Sequence, residues 1–303
     1  MKILLPEITE INQQALELLR KNGHQLFSST KQIPAAEIEV LFIRTYTRAD
    51  KKYLDLFPKL KYLLRAGVGL DNIDLEECKK RNIIVFNAPG SNANAVAEFV
   101  IGIILVLLRN IINQAEKIKK NSWRSKIWQG NEIVGKTLGL VGCGAIGKLL
   151  AQKLGNFGLK SILGYDPYLD EKTLAKNGIT KTDLKTLISS SDIISLHLPL
   201  TEQTRNLIGL KEIRTMKKTT LLINTSRGGI INETELIKAL KNNLIRGAAL
   251  DVFETEPNVR KSLLVLKNLV ATPHIAGYTR EADFQMAILP VNRFLTCLSR
   301  SSI

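Results

Sequence analysis

The sequence predicts an α/β protein with two doubly wound parallel sheets, and three observations lead to that prediction. Short apolar segments alternate with amphipathic ones over residues 1–95. A glycine-rich turn between an apolar segment and a helical segment opens a second alternation, which continues to about Gly277. A long helical segment that begins at Ala93 separates the two alternations. Each alternation is long enough to form a sheet with helices on its faces.

The first alternation predicts a strand at residues 3–5, a helix at 11–19, and strands at 39–43, 62–64 and 83–86. We interpret the amino terminus as a strand because its apolar segment is too short for a signal peptide. One helix is expected from Ala93 to about Lys120, with Ser91 or Asn92 as its cap. Its length suggests that it bridges two domains.

The second alternation predicts strands at residues 138–141, 161–165, 193–198, 220–224, 247–252 and 269–271. We therefore expect one domain over 96–277 and another made of 1–95 plus 278–303, because the last segment is too short to fold alone. Pro290 is expected to interrupt the helix in that last segment. Since the sequence ends at Ile303, we expect no appended regulatory domain.

Composition narrows the class of protein. The 303 residues are 45% hydrophobic, which can supply a core to each domain. The longest apolar run, residues 99–108, falls short of the ~20 residues of a membrane span and indicates a buried core helix. The net charge of +15 is scattered along the chain, which favours a solvated surface that attracts anionic substrates over a nucleic-acid site. Cys78, Cys143 and Cys297 are far apart, which predicts no metal site and a reduced cytoplasm.

The glycine-rich turn predicts a dinucleotide site. Gly142 allows the tight turn, Gly144 allows the backbone to approach a pyrophosphate, and Gly147 allows the following helix to pack closely on the strand. The next strand ends at Asp166, at about the spacing of 20 residues expected for a carboxylate that binds a ribose 2′-hydroxyl. That charge would repel a 2′-phosphate, and no arginine follows immediately, so NAD is favoured over NADP.

Three residues near predicted strand ends could carry acid–base chemistry. Arg227 enters a glycine turn and offers a planar fork for a carboxylate and a carbonyl oxygen. Glu256 could raise the pKa of His274 and make it a general acid or base for a hydroxyl-to-ketone interconversion. Each residue alone has a structural alternative of equal weight: helix-end capping, loop capping or a buried structural histidine. His197 is interpreted mainly as structural.

These motifs together resemble the D-isomer-specific 2-hydroxyacid dehydrogenase family. The resemblance covers nearly the whole chain and rests on G-C-G-A-I-G, N-T-S-R-G-G, D-V-F-E-T-E-P, T-P-H-I-A-G, R-A-G-V-G-L-D-N-I-D and N-A-P-G-S-N-A-N-A-V-A-E. It implies two Rossmann-like domains, with the cofactor and substrate in the cleft between them. Arg227 would bind the substrate, His274 would exchange the hydroxyl proton, and Glu256 would orient the histidine.

The resemblance also implies further site residues. The anionic 2-hydroxy or 2-oxo acid would contact the backbone at Val68 and Gly69, with Arg44 reaching a distal phosphate. The cofactor would be lined by Ala145, Ile146, Thr225 and Asp251. A homodimer would form through the long helix and residues 123–134.

The motifs are most similar to those of enzymes that oxidise D-3-phosphoglycerate. Glyoxylate or hydroxypyruvate reduction is the alternative, and a binding protein that senses NADH is a rival from another class. The scattered charge and the short apolar runs predict neither a nucleic-acid nor a membrane partner.

Overall fold

The computed structural model describes residues 1–123 and 129–300. They divide into two compact units, one formed by Met1–Asn92 with the segment that begins at Tyr278, and the other by Ala93–Gly277. Part of the expected dimerisation segment, residues 124–128, lies outside the described residues.

The first unit contains a parallel sheet of five strands: β1 (Lys2–Leu4), β2 (Gln25–Phe27), β3 (Val40–Ile43), β4 (Tyr62–Arg65) and β5 (Ile84–Phe86). Their order in the sheet is β2-β1-β3-β4-β5. In β3, Val40 and Phe42 pack in one apolar cluster and Leu41 and Ile43 in another. Because successive side chains of a strand point to opposite faces, both faces of this sheet are buried.

Three helices of the first unit begin where a side chain accepts a hydrogen bond from an amide of the first turn. The helices are α1 (Gln13–Lys21), α2 (Lys51–Leu54) and α3 (Leu75–Lys80). Asn12, Asp50 and Asp74 are the respective caps. Short 3₁₀ turns lie at Ile8–Glu10 and Ala35–Glu37.

The second unit contains a parallel sheet of seven strands. The strands are β6 (Thr137–Val141), β7 (Ser161–Tyr165), β8 (Thr180–Lys181), β9 (Ile193–Leu196), β10 (Leu221–Asn224), β11 (Gly247–Leu250) and β12 (Leu269–Ala271). The helices are α4 (Ala93–Arg109), α5 (Ile111–Lys119), α6 (Ala145–Leu154), α7 (Glu171–Ala175), α8 (Leu184–Ser190), α9 (Leu210–Thr215), α10 (Glu233–Lys241) and α11 (Lys261–Leu264).

The strand order of the second sheet is β12-β11-β10-β9-β6-β7-β8. The strand order reverses at β6, which pairs with β7 on one side and β9 on the other. Ligands of open α/β sheets bind outside the carboxyl ends of the strands at such a switch point. The two parallel sheets confirm the predicted fold class, and the glycine turn after β6 stands at the expected position.

Two strands have no counterpart in the sequence prediction. Both β2 and β8 are edge strands, and β8 is only two residues long and exposed. Their few residues lack the apolar alternation that identifies a half-buried strand. They are specified by pairing with β1 and β7 rather than by a local pattern.

The prediction of one helix from Ala93 to Lys120 is wrong. α4 ends at Arg109, α5 begins at Ile111, and their axes are bent by 61°. Asn110 between them has φ 51°, a left-handed conformation that asparagine tolerates better than most residues. The two helices also pack differently: α4 contributes buried residues to the core, whereas every residue of α5 is at least partly exposed to solvent. Within residues 1–123 and 129–300, no single helix is long and apolar enough to cross a membrane.

The expectation that Pro290 interrupts the last helix is also wrong. α12 (Arg280–Arg300) belongs to the first unit and continues through Pro290. Proline removes one helical hydrogen bond at a cost of about 3 kcal/mol. Ala287, Val291 and Phe294 are buried in the apolar cluster that contains Ile3 and Phe42. That tertiary packing supports the helix on both sides of the proline.

Candidate active site

The glycine turn between β6 and α6 needs its glycines for distinct reasons. Gly142 has φ 92°, and a Cβ there would lie 2.4 Å from the His197 carbonyl oxygen. A Cβ at Gly147 would lie 2.6 Å from the Gly142 carbonyl oxygen, so close packing of the helix on the turn requires glycine. At Gly144 a Cβ would meet no described atom within 4 Å, and this side of the turn is open to a ligand.

The open side of the turn lies beside the amino-terminal amides of α6 and the carboxylate of Asp166. α6 begins at Ala145 after the N-cap Gly144, which has no side chain to accept the first-turn amides of Ala145, Ile146 and Gly147. These amides and the helix dipole favour a phosphate. Asp166 lies next to the turn and accepts hydrogen bonds from the Cys143 amide at 3.0 Å and the Tyr168 amide at 2.9 Å. The two features match the phosphate and ribose positions of a dinucleotide.

A buried hydroxyl group near the end of β10 supports the same assignment. Thr225 Oγ1 is fully buried, and within the described residues it has no hydrogen-bond partner. A buried polar atom of this kind costs free energy unless a bound molecule or water satisfies it. Together with the open glycine turn and Asp166, it indicates that the residues of this edge fit a dinucleotide.

His197 underlies the glycine turn. Its Nε2 lies 3.0 Å from Ser195 Oγ. Burial lowers the pKa of His197 to about 4, so the ring is neutral near pH 7. This environment agrees with the structural interpretation of His197 and leaves acid–base chemistry to another histidine.

Arg227 lies in a turn that Asn224 organises. The Asn224 amide group donates to the Arg227 carbonyl oxygen at 2.8 Å, and its Oδ1 accepts from the Ser226 amide and hydroxyl. The next residue, Gly228, is pressed against the loop after β11, since a Cβ there would lie 1.8 Å from the Phe253 carbonyl oxygen. The sequence therefore holds the Arg227 turn against the segment that contains Glu256.

Glu256 and His274 meet at the carboxyl edge of the second sheet. His274 Nδ1 lies 2.8 Å from Glu256 Oε2, and the other carboxylate oxygen accepts the Phe253 amide at 2.9 Å. The hydrogen bond to Glu256 raises the pKa of the His274 imidazole. Burial acts to raise the pKa of Glu256, but hydrogen bonds from His274 and Phe253 hold it below its usual value. Arg227 is near enough to contribute to both pKa shifts.

The loop that carries His274 is held by Asp251. Its buried carboxylate accepts the Thr272 hydroxyl at 2.6 Å, the Ile275 amide at 2.9 Å and the Ala276 amide at 2.8 Å. These bonds flank His274, whose φ of 56° is uncommon for a residue with a side chain. Strained backbone of this type is found where the surroundings determine it strongly, as at active sites. The resemblance assigns Asp251 to the cofactor, and this additional contact set was not predicted.

The substrate residues predicted in the first unit have other local partners. Arg44 follows β3 and forms an ion pair with Asp283 of α12 at 2.7 Å. Its guanidinium carbon lies 5.7 Å from the centre of the Tyr278 ring, and it also donates to the Glu10 carbonyl oxygen. Val68 and Gly69 lie in the loop after β4, where the Asn87 side chain donates to the Val68 carbonyl oxygen at 2.7 Å.

Glu7 was not predicted as part of any site. Its buried carboxylate accepts hydrogen bonds from the four successive amides of residues 44–47, at 2.9–3.1 Å. Burial acts to raise the pKa of Glu7, but the bonds from Thr47 and its neighbours hold it below the usual value. The group of backbone amides at residues 44–47, here called the amide cradle, therefore already binds the carboxylate of Glu7. The sequence signal was weak, because a lone acidic residue after a strand has many roles.

Comparison with known proteins supports the assignment of a dinucleotide-binding domain to the second unit. Residues 101–276, most of the second unit, match the model of the D-isomer specific 2-hydroxyacid dehydrogenase NAD-binding domain. A D-lactate dehydrogenase from Aquifex aeolicus, solved with NAD and lactic acid, superimposes with a TM-score of 0.84 at 29% identity, over 99% of this chain and 96% of that one.

Curated relatives include proteins with different substrates in their names. The D-3-phosphoglycerate dehydrogenase of Methanocaldococcus jannaschii is 38% identical over 288 residues, 93% of this chain and 54% of that protein. The chain therefore spans about half the length of that relative. The hydroxypyruvate reductase of Thermotoga maritima is 42% identical over 255 residues, 83% of this chain and 82% of that protein. The chain belongs to the D-isomer specific 2-hydroxyacid dehydrogenase family, and its second unit contains the family's NAD-binding domain.

Proposed function

We propose that the chain oxidises D-3-phosphoglycerate to 3-phosphohydroxypyruvate with NAD, at the entry to serine synthesis. The observation that carries the proposed chemistry is the 2.8 Å contact between His274 Nδ1 and Glu256, with Arg227 in the adjoining turn. An imidazole with a raised pKa and a fixed orientation is suited to exchange the proton of a hydroxyl group.

The residues of this chain divide the proton and binding roles. Glu256 occupies Nδ1 of His274, so Nε2 is the ring nitrogen that accepts the C2 hydroxyl proton. Arg227 binds the substrate carboxylate and the developing carbonyl oxygen with its planar fork. Bound NAD supplies the acceptor for the hydride that leaves C2. When the reaction runs in reverse, protonated His274 returns the proton to the carbonyl oxygen.

The cofactor would be held at the carboxyl edge of the second sheet. The first-turn amides of α6 would bind the pyrophosphate, and Asp166 would accept the ribose 2′-hydroxyl. The unpartnered Thr225 hydroxyl would gain a hydrogen bond. Asp251 would act on the cofactor as well as on the His274 loop.

The phosphorylated substrate is supported by the similarity to phosphoglycerate dehydrogenases and by the position of Arg44 at a strand end. A second candidate, reduction of hydroxypyruvate or glyoxylate, is favoured by a specific observation. Asp283 already pairs with Arg44, and Glu7 already fills the amide cradle of residues 44–47. A distal phosphate would therefore compete with two carboxylates of the chain.

A substrate panel separates the two candidates. We would measure NADH formation from D-3-phosphoglycerate, D-glycerate and D-lactate, and NADH consumption with hydroxypyruvate and glyoxylate. The proposal predicts that kcat/KM for D-3-phosphoglycerate exceeds that for D-glycerate by about ten- to a hundredfold, the effect of a charge-assisted phosphate contact. Equal values would favour the second candidate, and no turnover of any 2-hydroxy acid would favour an NADH-sensing protein.

A homodimer in the cytoplasm completes the proposal. Ile111, Ile112 and Ile118 of α5 are each about half exposed, and Trp123 is 80% exposed. Apolar residues grouped in this way are typical of a protein interface. Sedimentation velocity should give a dimer mass for the wild type and a monomer for Ile112→Glu, and a monomeric wild type would refute the assignment.

A further inference from the structure

We propose that Glu233, Glu254 and Arg260 form a positioning cluster that fixes the loop of Glu256 and thereby sets the protonation of His274. This inference rests on the proposed acid–base role of His274. The three residues are not expected to touch substrate or cofactor, and their effect passes through backbone amides.

Glu233 and Glu254 bind each other's backbone. The Glu254 amide donates to Glu233 Oε1 at 2.6 Å, and the Glu233 amide donates to Glu254 Oε1 at 3.0 Å. Glu233 is the first residue of α10, so this exchange joins the loop after β11 to the start of a helix. Two reciprocal bonds define the loop's position more tightly than one bond would.

Arg260 forms ion pairs with both carboxylates. Its Nη2 lies 2.7 Å from Glu254 Oε2, its Nε lies 3.5 Å from Glu233 Oε2, and its Nη1 donates to the Thr234 hydroxyl at 2.7 Å. Burial raises the pKa of Glu233 and the negative charge of Glu254 acts in the same direction, whereas the hydrogen bond from the Glu254 amide lowers it. The arginine charge also lowers the pKa of Glu233 and keeps the two carboxylates together.

The cluster reaches Glu256 through two successive amides. The Glu254 amide points to Glu233, and the preceding amide, that of Phe253, donates to Glu256 Oε1 at 2.9 Å. Consecutive peptide planes share an α-carbon, so a shift of the first amide changes the direction of the second. Gly228 closes the other side of this segment by its contact with the Phe253 carbonyl oxygen.

The effect of the cluster on the position of Glu256 can be distinguished from the direct effect of the Arg260 charge on His274. His274 is affected by Glu256, Asp251 and Arg227, and Glu233 is affected by Glu254, Arg260 and Glu256. Loss of the Arg260 cation acting only through space would raise the pKa of His274, because a positive charge disfavours the imidazolium. Loss of Glu256 positioning would lower it, because the hydrogen bond to the carboxylate would weaken. The two explanations predict shifts of opposite sign.

The test is an NMR titration of the imidazole resonances in Arg260→Met, Arg260→Lys and the control Lys261→Met. The sequence has only three histidines, so His274 can be assigned with a His274→Gln variant. We expect Arg260→Met to lower the pKa of His274 by about half a unit to one unit, part of the shift that a close carboxylate produces. Arg260→Lys keeps the cation, so the pKa of His274 in this variant should return most of the way to the wild-type value. Lys261→Met removes an exposed neighbouring charge and should leave the pKa unchanged.

A raised or unchanged pKa of His274 in Arg260→Met would overturn the inference. Because Arg260 is 44% exposed, this substitution should be tolerated, and the Arg260→Lys variant gives a second folded comparison. The titration needs no turnover. An expected pKa shift in a chain that oxidises no 2-hydroxy acid would therefore refute the proposed function and leave the positioning cluster standing. Normal wild-type turnover with no pKa shift in Arg260→Met would refute the positioning cluster and leave the proposed function standing.

Discussion

Arg44 and Asp283 form an ion pair of 2.7 Å within the first unit, although they lie at the end of β3 and in the first turn of α12. The Arg44 side chain is 12% exposed, and the pair is thus partly shielded from water. The charges of such a pair are screened less by water and salt than those of a pair at the open surface. Any substrate phosphate that uses Arg44 must share it with this carboxylate.

Arg44→Ala tests whether the arginine binds a phosphate. If it does, KM for D-3-phosphoglycerate should rise about ten- to a hundredfold, since a charge-assisted hydrogen bond contributes about 1.5–3 kcal/mol. KM for D-glycerate should change little. Arg48→Ala, which removes an exposed charge from the same segment, is the matched control. Equal losses on both substrates would assign Arg44 to the stability of the first unit.

Asp166→Ala should narrow the preference for NAD over NADP. The substitution removes a carboxylate that would bind a ribose 2′-hydroxyl and repel a 2′-phosphate. The measurement is the ratio of kcat/KM values for the two cofactors. Asp166→Asn keeps an acceptor without the charge and should give an intermediate ratio. A ratio that stays constant in both variants would remove Asp166 from cofactor selection.

Glu256→Gln should move the pH dependence of oxidation. The bond to Glu256 raises the pKa of His274, so an amide at this position lets the imidazole lose its proton at lower pH. Oxidation needs neutral His274, and its rate increases as pH rises through that pKa. The acidic limb of the kcat/KM profile should therefore shift to lower pH in the variant. An unchanged limb would show that the two residues are not coupled in catalysis.

Glu7→Gln should loosen the loop after β3. The folded-state pKa of Glu7 lies below its usual value, so its contribution is present above the unfolded pKa and is lost as pH falls through the folded pKa. Near pH 7 we expect amide exchange at residues 45–47 to accelerate about tenfold, or ~1.4 kcal/mol. The difference should shrink in acid. Equal exchange rates at neutral pH would contradict the assigned hydrogen bonds.

The local sequence pattern predicted site residues best where a residue must meet a requirement set by its neighbours in sequence. Gly142 needs a positive φ and Asp166 ends a strand beside the turn, and both are visible in the spacing of the sequence. The pairing of Glu256 with His274 was also suggested by their positions after strands. These features depend on short segments, so a single sequence can predict them.

Features that depend on distant packing were harder to predict. Pro290 lies inside α12 because apolar contacts of Ala287 and Phe294 hold the helix in place. Asn110 ends α4 because the chain leaves the core there, which helical periodicity does not reveal. The partner of Arg44 is 239 residues away in sequence, since it belongs to α12, and no local pattern connects them. Tertiary contacts decided each of these outcomes.

The most direct test of the account is the turnover of His274→Ala beside that of the wild type, with NAD binding followed by fluorescence in both. Replacing a positioned acid–base group should lower kcat by about 10²–10⁴-fold while the affinity for NAD changes little. The wild type must oxidise at least one D-2-hydroxy acid. Near-normal turnover by His274→Ala would contradict the central claim that this histidine exchanges the substrate proton.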